Sequence, residues 1–109
     1  MQYIIKTTAH FDRELKRLFQ KYVSLKYDLE KLVYQLKENP ETGTPLGNNI
    51  YKIRLAIASK GKGKSGGARV ITYIKTEQGI VYLISIYDKS EKSTISDSEI
   101  RKILNDEIK

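Results

Sequence analysis

The chain has 109 residues, 39% of them hydrophobic, which suits one domain with a modest core and excludes a disordered chain. It has no cysteine, so disulfides and thiolate metal sites are excluded, and no apolar run long enough to span a membrane. Twenty Lys and Arg against thirteen Asp and Glu give a net charge of +7 and a pI near 9.5, a field that favours a polyanionic partner: nucleic acid first, an acidic protein next. The first residues, Met1 to Lys6, lack the basic and apolar regions of a signal peptide, so the expected location is cytoplasmic.

Residues 2–7 read as a strand, rich in β-branched and aromatic types. Thr8 is placed to cap a helix in which Phe11, Leu15, Leu18, Phe19 and Tyr22 form an apolar stripe. Ser24 can cap a second helix, with Leu25, Leu29, Leu32, Val33 and Leu36 as its stripe. Together they predict a helical hairpin. Residues 39–47 contain both prolines and end the second helix. Strands are expected at 50–58, 68–75 and 80–87, with residues 76–79 as a hairpin loop between the last two. The run 80–87 is almost continuously apolar, as in a central strand buried on both faces. Ser96 and Glu99 have capping-box spacing, and Ile100, Ile103, Leu104 and Ile108 give the last helix its apolar face. The order strand, two helices, three strands, helix is α+β: a strand, a helical hairpin, a three-stranded antiparallel continuation of the sheet and a C-terminal helix. No repeat and no second domain is visible, so residues 1–109 are read as a single domain.

Residues 59–67, Ser-Lys-Gly-Lys-Gly-Lys-Ser-Gly-Gly, lack the spacing of a phosphate-binding P-loop, and a strand rather than a helix follows them. They read as a basic loop in which Lys60, Lys62 and Lys64 could neutralise RNA phosphates, or as a merely solvated loop. Alternation puts Lys52 and Arg54 on one face of their strand, with Ile53 and Leu55 on the other. If the three strands are neighbours, Lys52, Arg54, Arg69, Tyr87 and Lys89 can converge, with Tyr51 beside them. Such a cluster of cations either meets a visiting anion or simply solubilises an edge. Tyr87 and Tyr51 are candidates for base stacking. Tyr22, Tyr27, Tyr34, Tyr73 and Tyr82 are expected to be packing residues. His10 reads as a surface or capping residue.

Tyr51-Lys52-Ile53-Arg54-Leu55, Gly67-Ala68-Arg69-Val70-Ile71 and Leu83-Ile84-Ser85-Ile86-Tyr87-Asp88-Lys89-Ser90-Glu91 resemble, in order and spacing, successive pieces of the RelE/ParE toxin superfamily, most closely its HigB/RelE-like branch. The resemblance covers nearly the whole chain and is most specific over residues 50–91. It implies a type II toxin that cleaves mRNA, often on the ribosome, without metal or cofactor. It also implies an acidic antitoxin as partner, in a higher-order complex, with the free toxin monomeric and no membrane involved. In that chemistry the ribose 2′-hydroxyl attacks the adjacent phosphate, which requires a base, cations for the developing charge and an acid for the leaving oxygen. The resemblance implies that Arg69 holds the scissile phosphate, that Lys52 and Arg54 are the basic strand residues, and that Lys89 is the basic position after the last strand. Tyr87, nearby, is a candidate to stack on a base or to assist proton transfer. The general base stays open between Lys89 and Glu91, because Ser90, Lys92, Ser93 and Thr94 stand where some members carry tyrosine or histidine. Two other readings share the fold: a ParE-like gyrase inhibitor, against which Lys52, Arg54, Arg69 and Lys89 argue, and a non-catalytic RNA- or protein-binding relic.

Overall fold

The computed structural model describes residues 2–61, 63 and 66–108. Its elements are β1 (Ile4–Thr7), α1 (Ala9–Lys21), α2 (Leu25–Glu38), β2 (Thr44–Gly47), β3 (Ile50–Leu55), β4 (Ala68–Lys75), β5 (Ile80–Asp88) and α3 (Asp97–Glu107). The architecture is α+β, as expected. The five strands form one sheet in the order β1-β5-β4-β3-β2. β5 lies between β4 and β1, which explains its burial along nearly its whole length.

Two features differ from the sequence reading. The sheet is mixed rather than antiparallel, because β1 pairs parallel with β5 from Ile4↔Ile80 to Thr7↔Leu83. The α1–α2 hairpin returns the chain to the far edge of the sheet, so β1 and β5 enter from the same side. A further strand, β2, occupies part of the stretch read as a helix stop. Its Thr-Pro-Leu-Gly sequence lacks strand alternation, but Pro45 is tolerated on an edge strand, where its missing N–H breaks no ladder. Asn48 and Asn49 both have positive φ, 54° and 64°, and turn β2 tightly into β3. Asparagine is among the residues that tolerate such a turn.

Alternation along the strands separates two cores. On the inner face the α1–α2 hairpin buries Phe11, Leu18, Leu25, Leu29, Leu32 and Leu36 against Ile53, Leu55, Val70, Leu83 and Ile86. On the outer face α3 and the segment before it bury Ile95, Ile100 and Ile103 against Ile50, Ile71, Ile84 and Tyr87. Tyr27 and Tyr34 depart from the packing role expected of them. They are 60% and 73% exposed, on the side of α2 turned from the sheet.

The caps form largely as the sequence indicates. Thr8 Oγ1 accepts from Phe11 N, and Ser96 with Glu99 makes the capping box of α3. Ser24 instead spends its hydroxyl on Asp28 and Ser59. Between Ile71 and Thr72 the β4–β5 register skips Ile84. At this bulge Glu14 accepts from Ser85 Oγ (2.9 Å) and Ile86 N (3.2 Å). Among the described residues no helix is long and apolar enough to cross a membrane.

Gly67 sits where β3, β4 and the end of β5 meet, and its carbonyl accepts from Lys89 N. A Cβ there would lie 2.1 Å from Leu55 O and 3.1 Å from Ala56 Cα, both backbone atoms that cannot rotate away. Gly67→Ala is expected to lower the unfolding free energy by about 1–3 kcal/mol, read as a drop in the urea midpoint with unchanged slope.

Candidate nucleic-acid interface

The register places Arg54 opposite Arg69, and Arg69 opposite Tyr87. These three residues of β3, β4 and β5 therefore form one cross-strand row on the outer face. Neighbouring strands run about 4.8 Å apart, and like charges directly opposite are destabilising. The register thus sets two arginines across from one another on β3 and β4. Arg54 is exposed, while Arg69 is 6% exposed and donates from Nη1 to Ala68 O (3.2 Å). Lys52 lies on the same face of β3, one alternation away.

Tyr87 completes the row from within the sheet. Its side chain is buried, and among the described residues its hydroxyl has no hydrogen-bond partner. The segment after β5 folds back over this end of the face. Lys89 Nζ donates to Ser93 O (3.1 Å), Lys52 Nζ reaches Thr94 Oγ1 (3.5 Å), and Lys92 Nζ stands 5.8 Å from the centroid of the Tyr87 ring. Lys52, Arg54, Arg69 and Tyr87 are thus brought together, and Lys89 follows β5 directly. Lys92 and Thr94 join them. The sequence marked both only as departures from the tyrosine or histidine of other members, because a loop residue without periodicity gives no sign of which strand it will cover.

Tyr51 lies apart from this row. Strand alternation places it on the inner face with Ile53 and Leu55, against the helical hairpin. Lys60 also lies elsewhere, and its side chain is 9% exposed. Lys62 and Lys64 fall outside the described residues.

Lys60 belongs to a second cluster, on the inner side of the end of β5. Asp88 is fully buried there. Its carboxylate accepts from Tyr22 Oη (2.5 Å), Lys60 Nζ (2.7 Å), Ser90 Oγ (2.7 Å) and Ser90 N (2.9 Å). Lys21 Nζ stands 3.5 Å away and also pairs with Glu91 at 2.9 Å, while Arg17 holds the other oxygen of Glu91 at 2.9 Å. Burial alone would push the Asp88 carboxyl up. The hydrogen bonds from Lys60, Tyr22 and Ser90 outweigh it and hold Asp88 well below the usual carboxylate range. Hydrogen bonds from Arg17 and then Lys21 likewise lower Glu91, so both its oxygens are engaged by cations. Asp88 was missed because it ends an apolar strand that otherwise reads as core. Arg17 and Lys21 read as the solvent side of α1, although they sit one turn apart and face the same carboxylate.

His10 lies in the first turn of α1, with Nε2 3.1 Å from Glu14 Oε1. Beside it the Glu107 carboxylate accepts from Ala9 N and His10 N, tying the end of α3 to the start of α1. Among the described residues no group of His, Asp or Glu side chains is arranged to hold a metal ion.

The face thus carries Lys52, Arg54 and Arg69, with the buried Tyr87 next to Arg69 and a covering basic segment. Comparison with known proteins adds the family. The fold resembles the E. coli RelE toxin in two solved forms. A doubly substituted variant in the free state has a TM-score of 0.63 at 22% identity, covering 93% of this chain and 98% of that one. The isolated toxin has a TM-score of 0.62 at 20% identity, covering 94% and 97%. The E. coli RelBE toxin–antitoxin complex matches with a TM-score of 0.60 at 19% identity, covering 79% of this chain and 95% of that one. The family model of the RelE toxin of the RelE/RelB toxin–antitoxin system matches residues 5–106, and the chain therefore belongs to the RelE toxin family.

Proposed function

We propose that this toxin is an endoribonuclease of the cytoplasm that cleaves mRNA on the ribosome and is silenced by an acidic antitoxin. The observation that carries this reading is the row Arg54–Arg69–Tyr87, two arginines opposite one another on neighbouring strands with a buried tyrosine next in line. The ribose 2′-hydroxyl attacks the adjacent phosphorus, and the bond from phosphorus to the 5′-oxygen breaks. A 2′,3′-cyclic phosphate and a free 5′-hydroxyl result. Arg69 and Arg54 grip the non-bridging oxygens, where guanidinium geometry allows two hydrogen bonds at once. Lys52 adds charge one position along. Tyr87 and Lys89 stand at the end of the row as the groups that exchange protons with the attacking and leaving oxygens. The cations of the chain stabilise the developing charge, so the reaction as written calls for no metal.

Glu91, bound by Arg17 and Lys21, is set aside as the base. The +7 charge suits both RNA and an acidic antitoxin, and the fold shared with the toxin of the E. coli RelBE complex supports such a partner. The test is to induce the toxin in cells and map mRNA 5′ ends with and without translation. New 5′-hydroxyl ends inside translated frames are expected. Growth arrest with intact mRNA and DNA damage would instead support gyrase inhibition.

A further inference from the structure

Beyond the basic row, β4 continues on the outer face with Ile71, Tyr73 and Lys75. Tyr73 stands opposite Tyr82 of β5, and their rings stack with centroids 6.4 Å apart and planes inclined by 22°. Ile50 flanks Tyr73, and Lys6 of β1 flanks Tyr82. Both tyrosines are only half-buried. α3 crosses this face and leaves a groove on its β3 side. One part, about 310 Å³, is lined by Leu46, Asn48, Ile50, Asp97, Ile100 and Arg101. The other, about 300 Å³, adds Tyr73, Leu104, Asn105 and Ile108 to Asn48, Ile50 and Arg101. The two parts share Asn48, Ile50 and Arg101 and so adjoin one another. Together they run from the β2–β3 turn to Tyr73.

The lining has a definite chemistry. Tyr73, Ile50 and Leu104 offer flat apolar surface. Asn48 and Asn105 carry amides that can both donate and accept. Arg101, exposed on α3, supplies a guanidinium at the junction of the two parts. A planar apolar face, a polar edge and an anion are the three parts of a nucleotide. Asp97 makes the upper part unfavourable for a phosphate, which leaves Arg101 as the anion-binding point. Arg69 and Tyr73 lie four residues apart on one strand, about 13 Å at the usual rise. Ile71 between them is buried with Ile95 and Ile100, so a single RNA strand reaches Tyr73 along the β3 side, past Lys52.

The geometry points to a second RNA-binding subsite, in which a base of the single-stranded substrate stacks on Tyr73 and an adjacent phosphate meets Arg101. It rests on the proposed reaction for its substrate, and not for the binding itself. The subsite holds RNA at a distance from the scissile phosphate and gives the enzyme a preference for bases with large stacking faces on that side of the cut.

The test uses the full chain, with tyrosine ring signals and arginine and lysine side-chain signals followed by NMR. The probe is a short single-stranded oligoribonucleotide carrying 2′-O-methyl groups throughout, which cannot undergo 2′-hydroxyl attack. Ring signals of Tyr73 and Tyr82 are expected to shift with the same affinity as Arg69. Tyr73→Leu is expected to weaken binding about tenfold, the ordinary effect of losing one stacked base, and Tyr73→Phe to leave it intact. Arg101→Gln, at an exposed helix position that does not endanger folding, is expected to weaken binding several-fold and to reduce the slope of log affinity on log salt by about one. Shifts confined to Arg54, Arg69 and Lys52 would overturn the subsite, as would unchanged affinity in Arg101→Gln. An oligoglutamate peptide that moves the Tyr73 and Arg101 signals where RNA does not would reassign the groove to an acidic protein segment. RNA bound at Tyr73 by a protein that makes no cuts in cells would refute the nuclease reading and keep the subsite.

Discussion

Replacing Arg69 by alanine is expected to abolish mRNA cleavage and growth arrest while the protein stays folded. Arg69 sits at the centre of its row, between Arg54 and Tyr87, so it is the cation most fully enclosed by the sheet. A preorganised donor in a dry site contributes more to the transition state than one in water, and losing such a donor costs about 10²–10³-fold in rate. Exposed Arg54 competes with solvent, so Arg54→Ala is expected to cost less. Truncation of Arg69 relieves the like-charge opposition across the β3–β4 pair while removing its hydrogen bond to Ala68 O, so the variant is expected to stay folded with a modest change in melting. Arg69→Lys keeps the charge and loses the planar fork, and is expected to recover only a minor part of the activity. The checks are 5′-end mapping after induction and thermal melting of the purified variant. Normal toxicity in Arg69→Ala would remove this residue from the site and the reaction from the row.

Asp88→Ala is expected to be the most destabilising single substitution at this end of the molecule. It removes the common acceptor of Tyr22, Lys60 and Ser90, and leaves the nearly enclosed Lys60 ammonium without its carboxylate. Breaking a buried pair from one side costs about 3–5 kcal/mol, readable as a large fall in the urea midpoint. Acid is expected to do the same reversibly. The folded carboxyl titrates below its unfolded value, so in acid the unfolded chain binds the extra proton. The stabilisation is complete above about pH 5 and drains away as pH falls through the ordinary carboxylate range near pH 4 toward the folded value. Stability of the wild type is therefore expected to fall steeply below pH 5, and that of Asp88→Ala to fall less. Parallel pH curves for the two proteins would show that Asp88 carries no linked charge.

The parts of the fold that repeat a period were legible. Leu25, Leu29, Leu32 and Leu36 mark α2 at helical spacing, and the run from Ile80 to Tyr87 marks a strand covered on both faces. β2 was not legible, because its identity as a strand comes from its neighbour: Thr44 and Pro45 pair with Lys52 and Tyr51 without any alternation of their own. The parallel entry of β1 was hidden for a similar reason, since strand direction depends on where the helical hairpin delivers the chain. At the site, parity along β3 sufficed to put Lys52 with Arg54, and register then brought in Arg69 and Tyr87. Parity also argues Tyr51 away from them, although closeness in sequence suggested otherwise. Lys60 shows the limit of reading charge from composition: among lysines and glycines it looks free, yet it pairs with an aspartate from the far end of β5.

The position of β1 has a consequence for the order of folding. Ile4 pairs with Ile80, and the hairpin α1–α2 finds most of its strand partners only in β3, β4 and β5. Closing so long a loop brings no reward until the last strand is present, which makes collapse slow and late. During synthesis, therefore, the helices emerge with their apolar stripes unmatched. The row Arg54–Arg69–Tyr87 cannot assemble until β5 has left the exit tunnel. Until that point the nascent polypeptide lacks the complete row and is open to any chaperone or partner able to hold an unfinished sheet.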